Sequence, residues 1–262
     1  MAEVQPLSLG VSIVLYRTRA VSVSPLVRAL LDQGAGRVYL IDNSPYEFRA
    51  FEGFAASERV TQLTIGRNVG YGRANNLAIR ASVRVHAYHL VCNPDIGLPP
   101  DSLQRLHAMM ESRPDVGLCM PRVVGLDGEL QYLCKRSPRP LDYLSGVLPF
   151  DRWAARRRAR LEMRERCYES EMEVECLSGC FMFFRSSVLA EAGGFDERFF
   201  LYFEDFDLSR RARSLARNLY FPAVTIAHGH ERAHTKSIKA RMHFVMSAAR
   251  YFNKWGWIAP EA

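Results

Sequence analysis

The sequence holds no uncharged apolar run of the ~18 residues that a membrane-spanning helix needs. Its amino terminus, Met1-Ala2-Glu3-Val4, has no basic segment feeding an apolar core, so no secretory leader is expected. None of the six cysteines (Cys92, Cys119, Cys134, Cys167, Cys176, Cys180) forms a C-x-x-C pair. Without a leader a disulfide framework is not expected, and several of these thiols lie in apolar runs, where they behave as small hydrophobes. Internal repeats and low-complexity linkers are also missing. The expectation is a soluble protein of a reducing cytoplasm, folded as one domain over residues 1–262.

What is present is a globular composition: 48% hydrophobic and 24% charged residues leave no case for disorder. The net charge of +7 is concentrated. Residues 151–166 carry seven arginines against Asp151, Glu162 and Glu165, a surplus that favours polyanionic partners. Nucleic-acid binding would interleave aromatics with that run. Only Trp153 is there, so the segment reads as a solvated helix with pairs such as Glu162/Arg166.

Strand and helix patterns alternate through the first half. Val11–Leu15, Val38–Ile41, Val60–Ile65 and His89–Cys92 are short apolar runs that read as buried strands, with helices predicted over residues 25–33 and 73–83. After about residue 115 come a strand at Val116–Val124, a turn at Leu126-Asp127-Gly128 and a Pro-bounded, Arg-rich insertion over 138–172. A strand over Val174–Phe184 follows, then helices at Ser187–Ala192 and Glu204–Ala216, a strand at Tyr220–Ala227 and a terminal helix over Lys236–Trp255. The expected fold class is α/β: a mostly parallel central sheet, helices on both faces and a C-terminal amphipathic helix. Residues 1–115 form the expected nucleotide-binding half and 116–262 the acceptor half.

In open α/β sheets ligands bind beyond the carboxyl ends of the strands. Asp42-Asn43-Ser44, Asn93-Pro94-Asp95 and His228 each follow an apolar strand directly. Any one alone reads equally as a turn or a cap; three at one sheet edge suggest a site. Gly66-Arg67-Asn68-Val69-Gly70-Tyr71-Gly72-Arg73-Ala74-Asn75-Asn76 places glycines and two arginines before a helix, which suits a diphosphate, although it is neither a P-loop nor G-x-G-x-x-G. Glu204-Asp205-Phe206-Asp207 opens another helix. Asp205, three residues before the apolar Leu208, is expected on its buried side, whereas Asp207 should pair at the surface with Arg210 and Arg211. A partly buried carboxylate of raised pKa can serve as a general base.

The ordered set Asp42-Asn43-Ser44, Arg67-Asn68-x-Gly-x-Gly, Asn93-Pro94-Asp95, Ser178-Gly179-Cys180, Gly193-Gly194-Phe195-Asp196-Glu197, Glu204-Asp205-x-Asp207-Leu208 and His228 resembles family 2 glycosyltransferases over roughly residues 9–256. The similarity is strongest to their bacterial rhamnosyltransferase-like branch. The resemblance implies a GT-A fold, a nucleotide-diphospho-sugar donor carrying dTDP or UDP, a divalent metal (Mg²⁺ or Mn²⁺) and inversion at the anomeric carbon. It implies that Tyr16, Asp42, Asn43, Arg67, Asn68, Gly70, Asn75 and Asn93 line the nucleotide-sugar, with Asp42 on the base. Asp95 and His228 would bind metal, with His230 and His234 as neighbouring alternatives. Asp205 would deprotonate the acceptor, with Glu204 as the second candidate. Asn93 departs from the paired aspartates frequent in the family, which leaves one carboxylate for the metal.

The terminal helix adds a basic, amphipathic face ending in Phe252-Asn253-Lys254-Trp255-Gly256-Trp257, a composition suited to core packing or to peripheral contact with an anionic membrane. A glycan or lipid-diphosphate-linked acceptor in cell-surface polysaccharide synthesis fits that setting. The competing readings are a nucleotidyltransferase, a basic nucleic-acid-binding protein and a non-catalytic sugar-binding relic.

Overall fold

Two apolar runs near the amino terminus become adjacent central strands. In the computed structural model, which describes residues 6–55, 57–144, 151–229 and 238–257, β1 (Leu7–Leu15) leads through α1 (Ser24–Asp32) to a parallel β2 (Ala35–Asp42). β3 (Val60–Thr64) extends the sheet beyond β2, and α2 (Tyr71–Ser82) carries the chain back to β4 (Tyr88–Cys92) on the other side of β1. Next come β5 (Ile96–Gly97), α3 (Ser102–Ser112) and β6 (Val116–Val124). The Arg-rich middle contains β7 (Cys134–Lys135), α4 (Pro140–Leu144), α5 (Asp151–Leu161), β8 (Met172–Glu173) and β9 (Cys176–Leu177). β10 (Phe181–Arg185), α6 (Ser186–Glu191), α7 (Glu204–Arg213), β11 (Arg217–His228) and α8 (Ile238–Trp255) complete the described chain.

The main sheet runs β3-β2-β1-β4-β10-β6-β11-β5, with β8 on the side of β11, while β7 and β9 form a separate ribbon. β3, β2, β1 and β4 are parallel, β10 is antiparallel to both β4 and β6, and β11 is parallel to β6. Two reversals through β10 leave β6 and β11 pointing the same way as β4. The carboxyl ends of β1, β2, β4 and β11 therefore share one edge, and so does the start of β10. The reversed direction of β10 brings Ser178-Gly179-Cys180 to the edge where Asp42, Asn93 and His228 end their strands.

The sequence pattern predicts one strand over 174–184, but the chain breaks between β9 and β10 at those three residues. There the Gly179 N–H turns to the Asp205 carboxylate at 3.0 Å instead of joining the sheet. All six cysteines are free thiols. The inner strands are apolar on both faces, and a core of buried residues runs from Val11 through Leu90 and Phe183 to Ile226, so both halves share it. Burying such runs, at about 25 cal/mol per Å² of apolar surface, is the main force for folding. A buried polar cluster crosses this core. Ser12 Oγ donates to Asn75 Oδ1 (2.7 Å) and lies 3.1 Å from His89 Nε2, and burial lowers the His89 pKa to about 3.

A second, aromatic cluster of Phe199, Phe203, Tyr251 and Phe252 fixes α8 against α7. Asp207 lies in this seam, contrary to its expected surface pairing. It is fully buried, with Oδ2 bound by Arg211 and Oδ1 by the Trp255 indole N–H (2.9 Å) and Lys254 Nζ (2.7 Å). The reason is α8, whose Lys254 and Trp255 reach a carboxylate that the sequence of α7 alone would leave to solvent. Glu162 likewise is buried and pairs with Arg158 and Arg164 rather than Arg166.

Candidate active site

The donor edge is built on backbone geometry. Asp42 is buried, and its Oδ1 accepts the Ser44 N–H at 2.9 Å; Ser44 Oγ in turn accepts the N–H of Arg17. Asn43 knits the glycine loop to this turn. Its Oδ1 accepts the Val69 N–H (2.8 Å), while its Nδ2 donates to Asn68 Oδ1 (3.0 Å) and the Gly70 carbonyl (3.3 Å). Asn68 Oδ1 also accepts the Gly70 N–H, so Asn43 and Asn68 shape the loop. Gly70 has φ +91°, and a Cβ there would lie 2.3 Å from the Phe200 carbonyl oxygen, so only glycine fits. Tyr16 is exposed beside this turn, and Arg67, which precedes Asn68 in the loop, is exposed as well. One expectation fails here. Asn75 is fully buried, its amide spent on Ser12 and the Tyr71 carbonyl, so it presents nothing to a ligand. Arg73, the second arginine of the loop, is paired with Glu197.

At the centre, the Tyr71 hydroxyl lies 2.8 Å from the Gly179 carbonyl and 3.1 Å from Asn93 Oδ1, tying α2 to β4 and β10. Asn93 Nδ2 approaches His228 Nε2 at 3.3 Å, and Asp95 Oδ1 lies 3.5 Å from the same nitrogen. The His228 tautomer follows from Gln131. The Gln131 Nε2 group donates to the His228 carbonyl (3.0 Å), so its Oε1 faces His228 Nδ1 (2.9 Å), and Nδ1 carries the proton. The ring turns its Nε2 toward Asn93 and the Asp95 carboxylate. A carboxylate oxygen and an imidazole nitrogen converging in this way are donor types that fit a shared cation, and a His ligand oriented through its other nitrogen is the usual metal-site arrangement. Among the described residues no group of three or more His, Cys, Asp or Glu side chains gathers as a metal cluster, so Asp95 and His228 would need oxygens from the substrate. His230 and His234 lie outside the described residues.

Glu204 and Asp205 open α7 directly after two bulky residues in left-handed backbone, Tyr202 (φ 70°) and Phe203 (φ 67°). Such conformations cost on the order of 1–2 kcal/mol each and concentrate at functional sites. They are held by α8: Ser247 Oγ donates to the Leu201 carbonyl, and Phe244 packs on both rings. Asp205 is half-buried, with Oδ2 accepting the Gly179 N–H and Oδ1 the Phe206 N–H at 2.9 Å. Glu204 is buried, and its Oε2 has no hydrogen-bond partner. Burial raises both carboxyl pKa values, and the Asp205 charge adds to the rise at Glu204, which reaches about 8. Burial thus favours the protonated form most at Glu204, whereas the two N–H donors favour the charged form of Asp205.

A cleft of ≈1560 Å³ opens beside this pair. Ser178, Glu204, Asp205 and His228 form one wall, and Lys135, Arg158, Arg164, Tyr143 and Phe244 line much of the rest. The structure thus brings together Asn93, Asp95, His228, Asp205 and Glu204, with the Asp42–Asn43–Arg67 turn on the same sheet edge. The sequence reading missed Tyr71 and Gln131. Tyr71 stood inside the glycine segment, but nothing in the pattern around Gln131 signals its role. The sequence profile described as glycosyltransferase like family 2 matches residues 49–247. The chain belongs to that family. An N-acetylglucosaminyl-diphospho-decaprenol L-rhamnosyltransferase of Mycobacterium tuberculosis is 29% identical over 210 residues, covering 76% of this chain and 67% of the relative. Among solved structures, GalNAc-T7 with UDP, GalNAc and Mn²⁺ superposes with TM-score 0.65 at 13% identity, covering 95% of this chain and 50% of that one. The mannosyltransferase PcManGT of Pyrobaculum calidifontis, solved with GDP-Man and Mn²⁺, gives TM-score 0.59 at 16% identity, covering 99% and 68%. The chain therefore spans only half of GalNAc-T7. These likenesses establish a GT-A-type fold for this transferase.

Proposed function

We propose that this family 2 transferase moves a hexosyl or deoxyhexosyl group, with inversion, from a nucleoside diphosphate to a hydroxyl of a glycan or lipid-diphosphate-linked acceptor. One observation carries the reading: Asp205, half-buried and held by two backbone N–H groups, shares a wall of the large cleft with His228, which lies against Asp95. Residues 1–115 hold the donor, with Tyr16, Asp42, Asn43, Arg67, Asn68 and Gly70 around the nucleotide, and residues 116–262 supply most of the acceptor cleft.

The chemistry follows from the charges. Asp205 takes the proton from the acceptor hydroxyl as that oxygen attacks the anomeric carbon, a contribution of about 10²–10⁴-fold for a positioned base. Half-burial strengthens the carboxylate as a base, and the Gly179 and Phe206 N–H groups fix its direction. The nucleoside diphosphate leaves on the opposite face. Asp95 and His228 would hold a divalent metal, which when bound neutralises the departing diphosphate. Lys135 and the Arg158–Glu162–Arg164 cluster, whose two guanidiniums outnumber the one carboxylate between them, give the acceptor cleft a positive balance suited to a lipid-linked diphosphate. Rhamnose as the sugar is supported by the mycobacterial relative, whose name states both that sugar and a diphospho-decaprenol acceptor.

Thermal-shift screening of dTDP-, UDP- and GDP-sugars, each with Mn²⁺, Mg²⁺ or chelator, tests the donor half. The expected result is metal-enhanced stabilisation by one nucleotide-sugar and release of nucleoside diphosphate on adding acceptor. No shift with any donor would refute the reading, and pyrophosphate release would assign the site to nucleotidyl transfer.

A further inference from the structure

α8 has two faces of different character. Its inner face carries Phe244, Ser247, Tyr251 and Phe252 into the aromatic seam, and Phe244 forms part of the cleft wall. Its outer face leaves Ile238, Met242, Val245 and Met246 exposed, at 77%, 58%, 65% and 46%. At 3.6 residues per turn these four side chains share one stripe. Lys239 and Arg250 border the stripe on one edge and Arg241 on the other; all three are exposed, and α8 contains no Asp or Glu. A folded domain rarely leaves so continuous an apolar strip uncovered without a partner for it.

Charge decides what the partner is. A second copy packed on this face would set lysine and arginine borders against the same borders, which like charge opposes. An anionic phospholipid surface accepts the apolar stripe below the headgroups and the flanking cations at the phosphates. No helix among the described residues is long and apolar enough to cross a membrane, so the contact is made in the plane. We propose that α8 lies flat on an anionic lipid surface, burying Ile238, Met242, Val245 and Met246, with Lys239, Arg241 and Arg250 on headgroup phosphates. Because the opposite face of the helix buttresses the Tyr202–Phe203 turn and the cleft, docking sets the catalytic cleft beside the lipid. That last consequence rests on the lipid-linked acceptor reading; the docking itself does not.

Co-sedimentation of the full chain with phosphatidylglycerol-containing vesicles and with pure phosphatidylcholine vesicles, at low and high salt, tests the proposal. Binding should require the anionic lipid and weaken as salt rises. Met242→Glu/Val245→Glu should lower partitioning at least about tenfold, and Lys239→Glu/Arg241→Glu by roughly the same factor at low salt. Both variants should keep the parent melting temperature, since the altered side chains are exposed. Equal binding to neutral vesicles, binding that survives the glutamates, or a parent dimer that the glutamates dissociate would overturn it. Vesicle binding needs no turnover. Failure of the parent chain to dock, with its transfer to a water-soluble acceptor intact, would sink this proposal alone, and docking by the parent chain without transfer would sink the functional reading alone.

Discussion

Asp205→Asn separates the general-base reading from a structural one because the structure predicts two effects of different size. The carboxylate accepts two backbone hydrogen bonds, from Gly179 N (3.0 Å) and Phe206 N (2.9 Å), through different oxygens. An asparagine has one oxygen, so one of the two N–H groups must face an amide NH₂. Leaving a buried donor unsatisfied costs about 1–3 kcal/mol, and for a chain of this size that lowers the melting temperature by roughly 2–10 °C. The kinetic loss should be larger. Losing a positioned base costs ~10²–10⁴-fold in kcat, about 3–5 kcal/mol of barrier. Donor affinity, set at the Asp42 edge, should stay within about threefold, far below that kinetic loss. The assay is kcat from nucleoside diphosphate release, beside donor affinity by calorimetry and a melting curve. A variant that keeps more than about a tenth of kcat would refute the assignment. A kcat loss matched by an equal loss of donor binding would make Asp205 structural.

Four further expectations follow from the same geometry. Because Asp205 must be ionised and burial raises its pKa above the ordinary 3.8, kcat should fall with decreasing pH at a higher pH than for an exposed aspartate; a rate flat down to the ordinary carboxylate range would contradict this. Glu204 holds its proton more tightly folded than unfolded, so its contribution to stability is present at low pH and lost as pH rises through about 8. Glu204→Gln should therefore keep kcat at neutral pH within a few-fold and flatten the decline of melting temperature between the ordinary carboxylate range and about pH 8, and an unchanged decline would speak against it. Gln131→Ala frees the His228 ring, and should weaken Mn²⁺ or Mg²⁺ activation by about 10–100-fold while kcat at saturating metal changes little; an unaltered metal titration would remove Gln131 from this role. Asp207→Asn breaks the buried contacts with Arg211 and Lys254 and should cost about 3–5 kcal/mol in denaturant unfolding, whereas a loss below about 1 kcal/mol would place the pair among ordinary surface bridges.

The amino-terminal half was legible in the sequence because its signals are local. Runs such as Val11–Leu15 and His89–Cys92 are buried on both faces, so their continuous hydrophobicity announces a covered parallel sheet, and the polar residues that stop them mark the ligand edge. α3 could have been found by the same means, since Leu103, Leu106, Met109 and Met110 recur at helical spacing and are buried. Asn75 went wrong because an asparagine near a glycine loop looks the same whether it meets a ligand or Ser12.

Asp207 shows the other limit. The i+4 arginine was visible and does pair, but Lys254 and the Trp255 indole come from a helix far along the chain, and they turn a surface pair into a buried joint. The proton on His228 Nδ1 is likewise fixed by Gln131, a residue with no motif of its own. The sequence by itself determined which side chains could do chemistry and that the first strands would end at one edge, because strand burial and chain direction are encoded locally. Tertiary structure alone decided that β10 runs backwards and brings Gly179 to Asp205. It also decided which carboxylate of the pair receives N–H donors and which is buried without them, because burial and N–H donors come from segments that meet only in the folded chain.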